Sequence, residues 1–132
     1  MTPEQQLDAE RLDRYLSRES LVPILNDTKW QRLIECMNKI PDYSVRFCVK
    51  CLRDTDLDLD YWDGSFPWHI PTPYKSIEWI DFNPIMSTQL GQLLDSLVRD
   101  FTGDICDTLT SNSIPYEITE SAIRVYGYKR PS

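Results

Sequence analysis

Apolar residues recur at helical spacing in three places along the chain. Ala9, Leu12, Tyr15 and Leu16 make the first stripe, behind Thr2-Pro3-Glu4, where threonine can cap and proline can take the first helical position. Trp30, Leu33, Ile34 and Met37 make the second, with a start signal at Asn26-Asp27-Thr28 and a stop before Pro41. The third is the longest: Leu90, Leu93, Leu94, Leu97, Val98, Phe101, Ile105 and Leu109 keep one face over about five turns, with Ser87 or Thr88 as cap and Gly103 as a bend or break.

Other stretches alternate with a period of two, as strands do. Residues 43–53 put Val45, Phe47, Val49 and Cys51 on one face and Arg46, Cys48, Lys50 and Leu52 on the other. Residues 74–82 are aromatic and β-branched and close at Asn83-Pro84. Residues 113–129 read as one or two strands, with Ile123, Val125 and Gly127 opposite Ala122, Arg124, Tyr126 and Tyr128. Between the first two strands, residues 54–73 read as a long loop. The pattern predicts a single α+β domain over residues 1–132. In it, a small, mostly antiparallel sheet of three to four strands is packed by a long amphipathic helix, with two N-terminal helices.

Composition narrows the picture. With 132 residues, 41% hydrophobic and 11% aromatic, the chain can bury a core of its own, so disorder is a poor reading. The net charge of −7 argues against a nucleic-acid binder, which gains affinity by neutralising phosphates with Lys and Arg. No apolar run is long enough for a membrane span, and the polar start Met1-Thr2-Pro3-Glu4-Gln5-Gln6 carries neither a secretory nor a transit signal. A cytoplasmic protein is expected, with Cys36, Cys48, Cys51 and Cys106 reduced. Cys48 and Cys51 form C-x-x-C, but on an alternating strand they face opposite ways and no second pair or nearby histidine completes a zinc set.

The charge is not spread evenly. Residues 54–82 hold Asp54, Asp56, Asp58, Asp60, Asp63, Glu78 and Asp81 against Lys75 alone, which accounts for six of the seven excess negative charges. Neither possible register of an EF-hand loop on the aspartate row supplies both the turn glycine and the terminal glutamate, so calcium in that form is excluded. The row then reads as a solvated edge that repels other edges, a weak divalent-ion site, or a surface for a positively charged partner. Resources for catalysis are thin. Four scattered glycines build no phosphate loop, and His69 is the sole histidine, available as a base only if an acid and a pocket accompany it. No catalytic residue, cofactor or metal site is assigned.

The same segment holds seven of the fifteen aromatics: Tyr61, Trp62, Phe66, Trp68, Tyr74, Trp79 and Phe82. Pro67, Pro71 and Pro73 stiffen it, which lowers the ordering cost of binding. Trp79 and Phe82, on a strand, read as core; Trp68 reads as a pin for the proline loop or as an anchor for a partner. Asp100, Asp104 and Asp107 share a face if the third stripe is one helix, and extend the negative field.

Val45-Arg46-Phe47, Tyr61-Trp62-Asp63-Gly64, the run Phe66-Pro67-Trp68-His69-Ile70-Pro71-Thr72-Pro73-Tyr74 and the run Ile77-Glu78-Trp79-Ile80-Asp81-Phe82-Asn83-Pro84 resemble a family of small uncharacterised bacterial proteins. The likeness spans the middle third to half of the chain and brings no catalytic residues with it. In format the chain is similar to immunity proteins encoded beside bacterial toxins, which are small, acidic, cytoplasmic α+β domains that bind and block a toxin.

That likeness implies a non-enzymatic inhibitor. Asp54, Asp56, Asp58, Asp60 and Asp63 meet a basic surface, such as the cleft of a nuclease or nucleotide-using toxin, and Trp62, Trp68 and His69 supply the packed centre. A regulatory or adaptor module with a non-toxin partner uses the same surface, and a small carboxylate/His enzyme is the reading from another class.

Overall fold

Asn26 opens the helix at Asp27–Asn38 as its sequence suggests. Its backbone is extended (φ −98°, ψ 178°) and its side chain accepts the Lys29 amide hydrogen at 2.9 Å, which satisfies a donor the helix itself leaves unpaired. The computed structural model describes residues 11, 14, 16, 18, 20–52, 62–89 and 96–129. The elements in order are β1 (Val22–Pro23), α1 (Asp27–Asn38), β2 (Phe47–Cys51), a single 3-10 turn (Tyr74–Ser76) leading into β3 (Ile77–Phe82), β4 (Ile85–Gln89), β5 (Ser96–Asp100), α2 (Thr102–Ser111), β6 (Glu117–Ile118), β7 (Ile123–Tyr126) and β8 (Tyr128–Lys129). The first predicted helix falls for the most part outside the described residues.

Four strands form an antiparallel sheet in the order β2-β3-β7-β6, while β1 pairs with β8 and β4 pairs with β5. Residues directly opposite each other share a face, so Phe47, Val49, Ile80, Phe82, Ile123 and Val125 line the inner side. Against it pack Trp30, Leu33 and Met37 from α1 and Ile105 and Leu109 from α2, in one continuous core. The two helices also meet directly, and Lys29 Nζ lies 3.2 Å from the carbonyls of Asn112 and Ser113, placing a cation at the negative end of α2.

The long packing helix expected over the third stripe does not exist. Its place is taken by the β4–β5 hairpin, paired from Ile85↔Asp100 to Gln89↔Ser96, followed by the ten-residue α2. Leu97 and Val98 are exposed on β5, at 48% and 61%, instead of buried on a helical stripe; Leu90, Leu93 and Leu94 lie outside the described residues.

The cause is local. The Asp100 carboxylate accepts the Thr102 amide at 2.8 Å and its hydroxyl at 2.5 Å, and the Phe101 amide donates to the Pro84 carbonyl at 2.8 Å. This side-chain turn ends the strand and starts the helix at Thr102, so among the described residues of the stripe only Ile105 and Leu109 are buried helical residues. Asp100 therefore ends β5 and shares no helical face with Asp104 and Asp107. The helices also stand on both sides of the strands in sequence, and are not confined to the N-terminus.

One irregularity shapes the outer face of the sheet. Lys50 pairs with Trp79 but Cys51 pairs with Ile77, so Glu78 is an extra residue in β3. Such a bulge turns the strand, and it puts Glu78 and Trp79 side by side facing Lys50.

Candidate functional site

The proline loop is tied to the sheet edge through Asp63. Its main chain exchanges two hydrogen bonds with Phe47, at 2.8 and 3.0 Å, which adds one rung outside β2. One oxygen of its side chain, Oδ1, accepts the Ser65 amide at 2.7 Å, and the other, Oδ2, lies 2.7 Å from His69 Nδ1. The Ser65 amide first, and the His69 ring after it, hold this carboxyl below its usual range. The His69 amide donates back to the Ser65 carbonyl at 3.0 Å, and Ile70 donates to Pro67 at 3.0 Å. The Phe66-Pro67 and Thr72-Pro73 peptides are cis.

Packing fixes the loop from both ends. Phe66 meets Phe47 and Phe82 edge to face, at centroid distances of 5.5 and 6.0 Å, and Ile70 is buried in the core. Between these two anchors the chain turns outward, and Trp68 is 85% exposed. A ring that large in water, held by core-packed neighbours two residues away on either side, is an exposed apolar feature with no part in the core. Of the sequence-predicted site residues, Asp63, Trp68 and His69 come together here and Trp62 sits half-buried beside Asp63 in the chain. Asp54, Asp56, Asp58 and Asp60 lie outside the described residues.

An enzyme built on His69 needs an acid and a pocket. The acid is present. Two surface grooves, of about 510 Å³ between α1 and α2 and about 340 Å³ beside Trp79 and Tyr126, are not lined by Asp63 or His69, and the His69 side chain is 59% exposed. Among the described residues no three or more His, Cys, Asp or Glu side chains gather as a metal site, and no described helix is long and apolar enough to cross a membrane. None of the four cysteines is in a disulfide.

A second polar cluster, on the outer face of the sheet, changes the charge reading. Arg124 makes a two-point pair with Asp81, at 2.7 and 3.0 Å, and its guanidinium lies 4.1 Å from the Trp79 ring centre. Asp81, through these hydrogen bonds, holds the Arg124 pKa above its already high value. Lys50 pairs with Glu78 at 3.3 Å and lies 5.2 Å from the other partner of the cluster, Trp79. Tyr126 donates to Glu117 at 2.8 Å; burial first, then that carboxylate, raises its phenol pKa.

Glu78 and Asp81, counted with the acidic segment, are thus buried and matched by bases from neighbouring strands, and Trp79 belongs to this outer cluster and not to the core. The signal in the sequence was two acids inside the apolar run Ile77 to Phe82, which only a partnered carboxylate tolerates. Of the other acids in that segment, Asp63 is engaged by Ser65 and His69.

No curated protein and no solved structure matches the chain. Residues 12–132 match the family of unknown function DUF6678, and the chain belongs to that family.

Proposed function

We propose that this chain is an immunity-type protein that acts in the cytoplasm, using its acidic, aromatic-rich surface to bind a basic surface of a cognate bacterial toxin domain and neutralise it without catalysis of its own. The observation that carries the reading is Trp68, 85% exposed between the half-buried anchor Phe66 and the buried anchor Ile70. Tryptophan is the side chain most enriched at energetic hot spots, and a pre-set loop loses little freedom on binding. Asp63 and the aspartates at 54, 56, 58 and 60 follow one another in the chain up to this loop and supply attraction for Lys and Arg. A nuclease cleft, lined with bases for phosphate, is the complementary partner of that kind.

The test is to sequence the genes beside this one and co-express the chain with any toxin domain they encode. Growth protection by the wild-type chain is expected, with protection lost on Asp56→Lys, Asp58→Lys, Asp60→Lys combined, and binding weakened by salt. Protection that survives the triple reversal would remove the acidic face from the mechanism. Capture of a non-toxin protein that engages the same loop, with no protection against the neighbouring product, would make the chain a regulatory module instead.

A further inference from the structure

His69 is the only histidine in the chain, and its environment decides which of its nitrogens can accept a hydrogen bond. Asp63 Oδ2 stands 2.7 Å from Nδ1, while Asp63 Oδ1 is already taken by the Ser65 amide. An ionised carboxylate has no hydrogen to give, so the hydrogen in this contact belongs to Nδ1. The neutral imidazole then carries its one lone pair on Nε2, on the far side of the ring from Asp63. Asp63 cannot easily turn away: its main chain is held on both sides by Phe47, and its side chain is 17% exposed against 59% for the histidine. With the imidazole neutral, the loop therefore presents an oriented acceptor next to an exposed tryptophan.

We propose that His69 Nε2 is a fixed acceptor for a cationic N–H donor, an arginine or lysine side chain of the partner. This rests on the reading of the loop as a partner-binding surface and names the group it receives. Charge selects the donor. Residues 54–82 carry seven acids against Lys75, and the pairing of Glu78 with Lys50 and Asp81 with Arg124 leaves the five aspartates at 54, 56, 58, 60 and 63. Tryptophan faces in this protein already take cations, as Trp79 does with Arg124 at 4.1 Å, and Trp68 offers such a face to solvent. The Asp63 side chain thus positions His69, in addition to the charge it contributes to the loop.

The experiment reads side-chain nitrogen resonances of the isolated chain, where a single histidine gives an unambiguous assignment. In the neutral form the wild type is expected to show hydrogen on Nδ1 and none on Nε2, and Asp63→Asn is expected to lose this preference. Adding acetyl-triarginine-amide is expected to shift the Nε2 resonance saturably, at least fivefold more than the same concentration of acetyl-triglutamine-amide, and the response is expected to fall severalfold in Asp63→Asn.

Hydrogen on Nε2 in the wild type, or no greater response to the arginine peptide than to the glutamine peptide, overturns the proposal; neither result requires any variant to fold. The readout is separate from toxin protection. A saturable arginine response in a chain that protects against nothing keeps the cation site and discards the immunity reading. Protection with no response at His69 does the reverse.

Discussion

Gly127 donates its amide hydrogen to the Glu78 carbonyl at 2.7 Å, at the point where the extra residue in β3 breaks the register with β2. A Cβ on residue 127 would collide with the Ile77 carbonyl oxygen and sit 3.0 Å from Trp30 Cζ2. The first obstacle is main chain, which cannot swing aside as a side chain can. Gly127→Ala is therefore expected to cost about 2–3 kcal/mol, by forcing the strands apart at the bulge. Urea unfolding monitored by circular dichroism measures this, and a midpoint equal to wild type would mean that β7 and β3 approach less closely than described.

The buried pair on the outer face gives a second expectation. Arg124→Met leaves the Asp81 carboxylate buried without its two-point partner, a change worth about 3–5 kcal/mol of destabilisation. Arg124→Lys keeps the charge but only one of the two contacts, and also loses the flat stack on Trp79, so it recovers the stability in part. Adding Asp81→Leu to Arg124→Met removes the stranded charge and is expected to restore most of the loss. Thermal midpoints of the three variants and the wild type test the order.

Much of this was legible in the sequence because one periodicity had one meaning. The α1 stripe, with its asparagine cap, and the alternation in β7 each admit a single burial pattern. The stripe from residue 90 to 109 did not, because leucines three and four apart also occur by chance across a hairpin and a following helix. The deciding signal was short range: Asp100 bonding to Thr102, which outweighs a weak helical period. Trp79 was misread for a different reason. It is read as core along with Phe82, but the two stand three apart in an unbroken register, so they face opposite sides of the sheet. At the candidate site, the sequence pointed to Asp63, Trp68 and His69 as neighbours, but not to the hydrogen bond joining the first and last, nor to the Phe66 and Ile70 anchors that leave Trp68 outside.

The end of α2 offers a stabilising change. Ser113 has φ 57°, a conformation that costs an L-residue because Cβ crowds the carbonyl, and the Ile114 amide closes the helix by donating to the Leu109 carbonyl at 2.9 Å. Ile114 and Leu109 are both buried, so the turn cannot relax without opening the core. Ser113→Gly removes the crowding and is expected to raise stability by about 0.5–1 kcal/mol, after the greater freedom of glycine in the unfolded chain is subtracted. Ser113→Val is expected to lower it. Chemical denaturation of both variants checks the sign.

Alkaline pH should act through Tyr43. Its hydroxyl donates to the Asn83 carbonyl at 2.6 Å, and burial pushes the phenol pKa from 10.0 up to about 12. A raised folded pKa means that the stability is complete below pH 10, where both states are neutral. It declines as the unfolded chain ionises first, and the contribution is gone above about pH 12. The wild type should thus lose stability between those values, on the order of 2–3 kcal/mol from this residue. Tyr43→Phe is expected to lower stability at neutral pH by about 1 kcal/mol through the lost hydrogen bond, and to flatten the alkaline decline. Denaturant midpoints at intervals from pH 8 to 12 report both effects, and an equal slope in wild type and variant would assign the decline to other groups.

Trp68 separates binding from folding. The ring is 85% exposed while Phe66 and Ile70 hold the loop, so Trp68→Ala removes little buried surface and is expected to change stability by no more than about 0.5 kcal/mol. If the loop is the centre of the toxin interface, the same change costs at least 2 kcal/mol of binding, about 30-fold in Kd, because the exposed ring is then the side chain that becomes buried. Phe66→Ala is the control with the opposite profile. It removes a ring packed on Phe47 and Phe82, so it should destabilise the chain by about 3 kcal/mol and weaken binding only as far as the loop loses its shape. Unfolding midpoints and calorimetric titration with the neighbouring toxin domain, run on both variants, give four numbers. A Trp68→Ala chain that folds normally and binds as tightly as wild type would move the interface elsewhere.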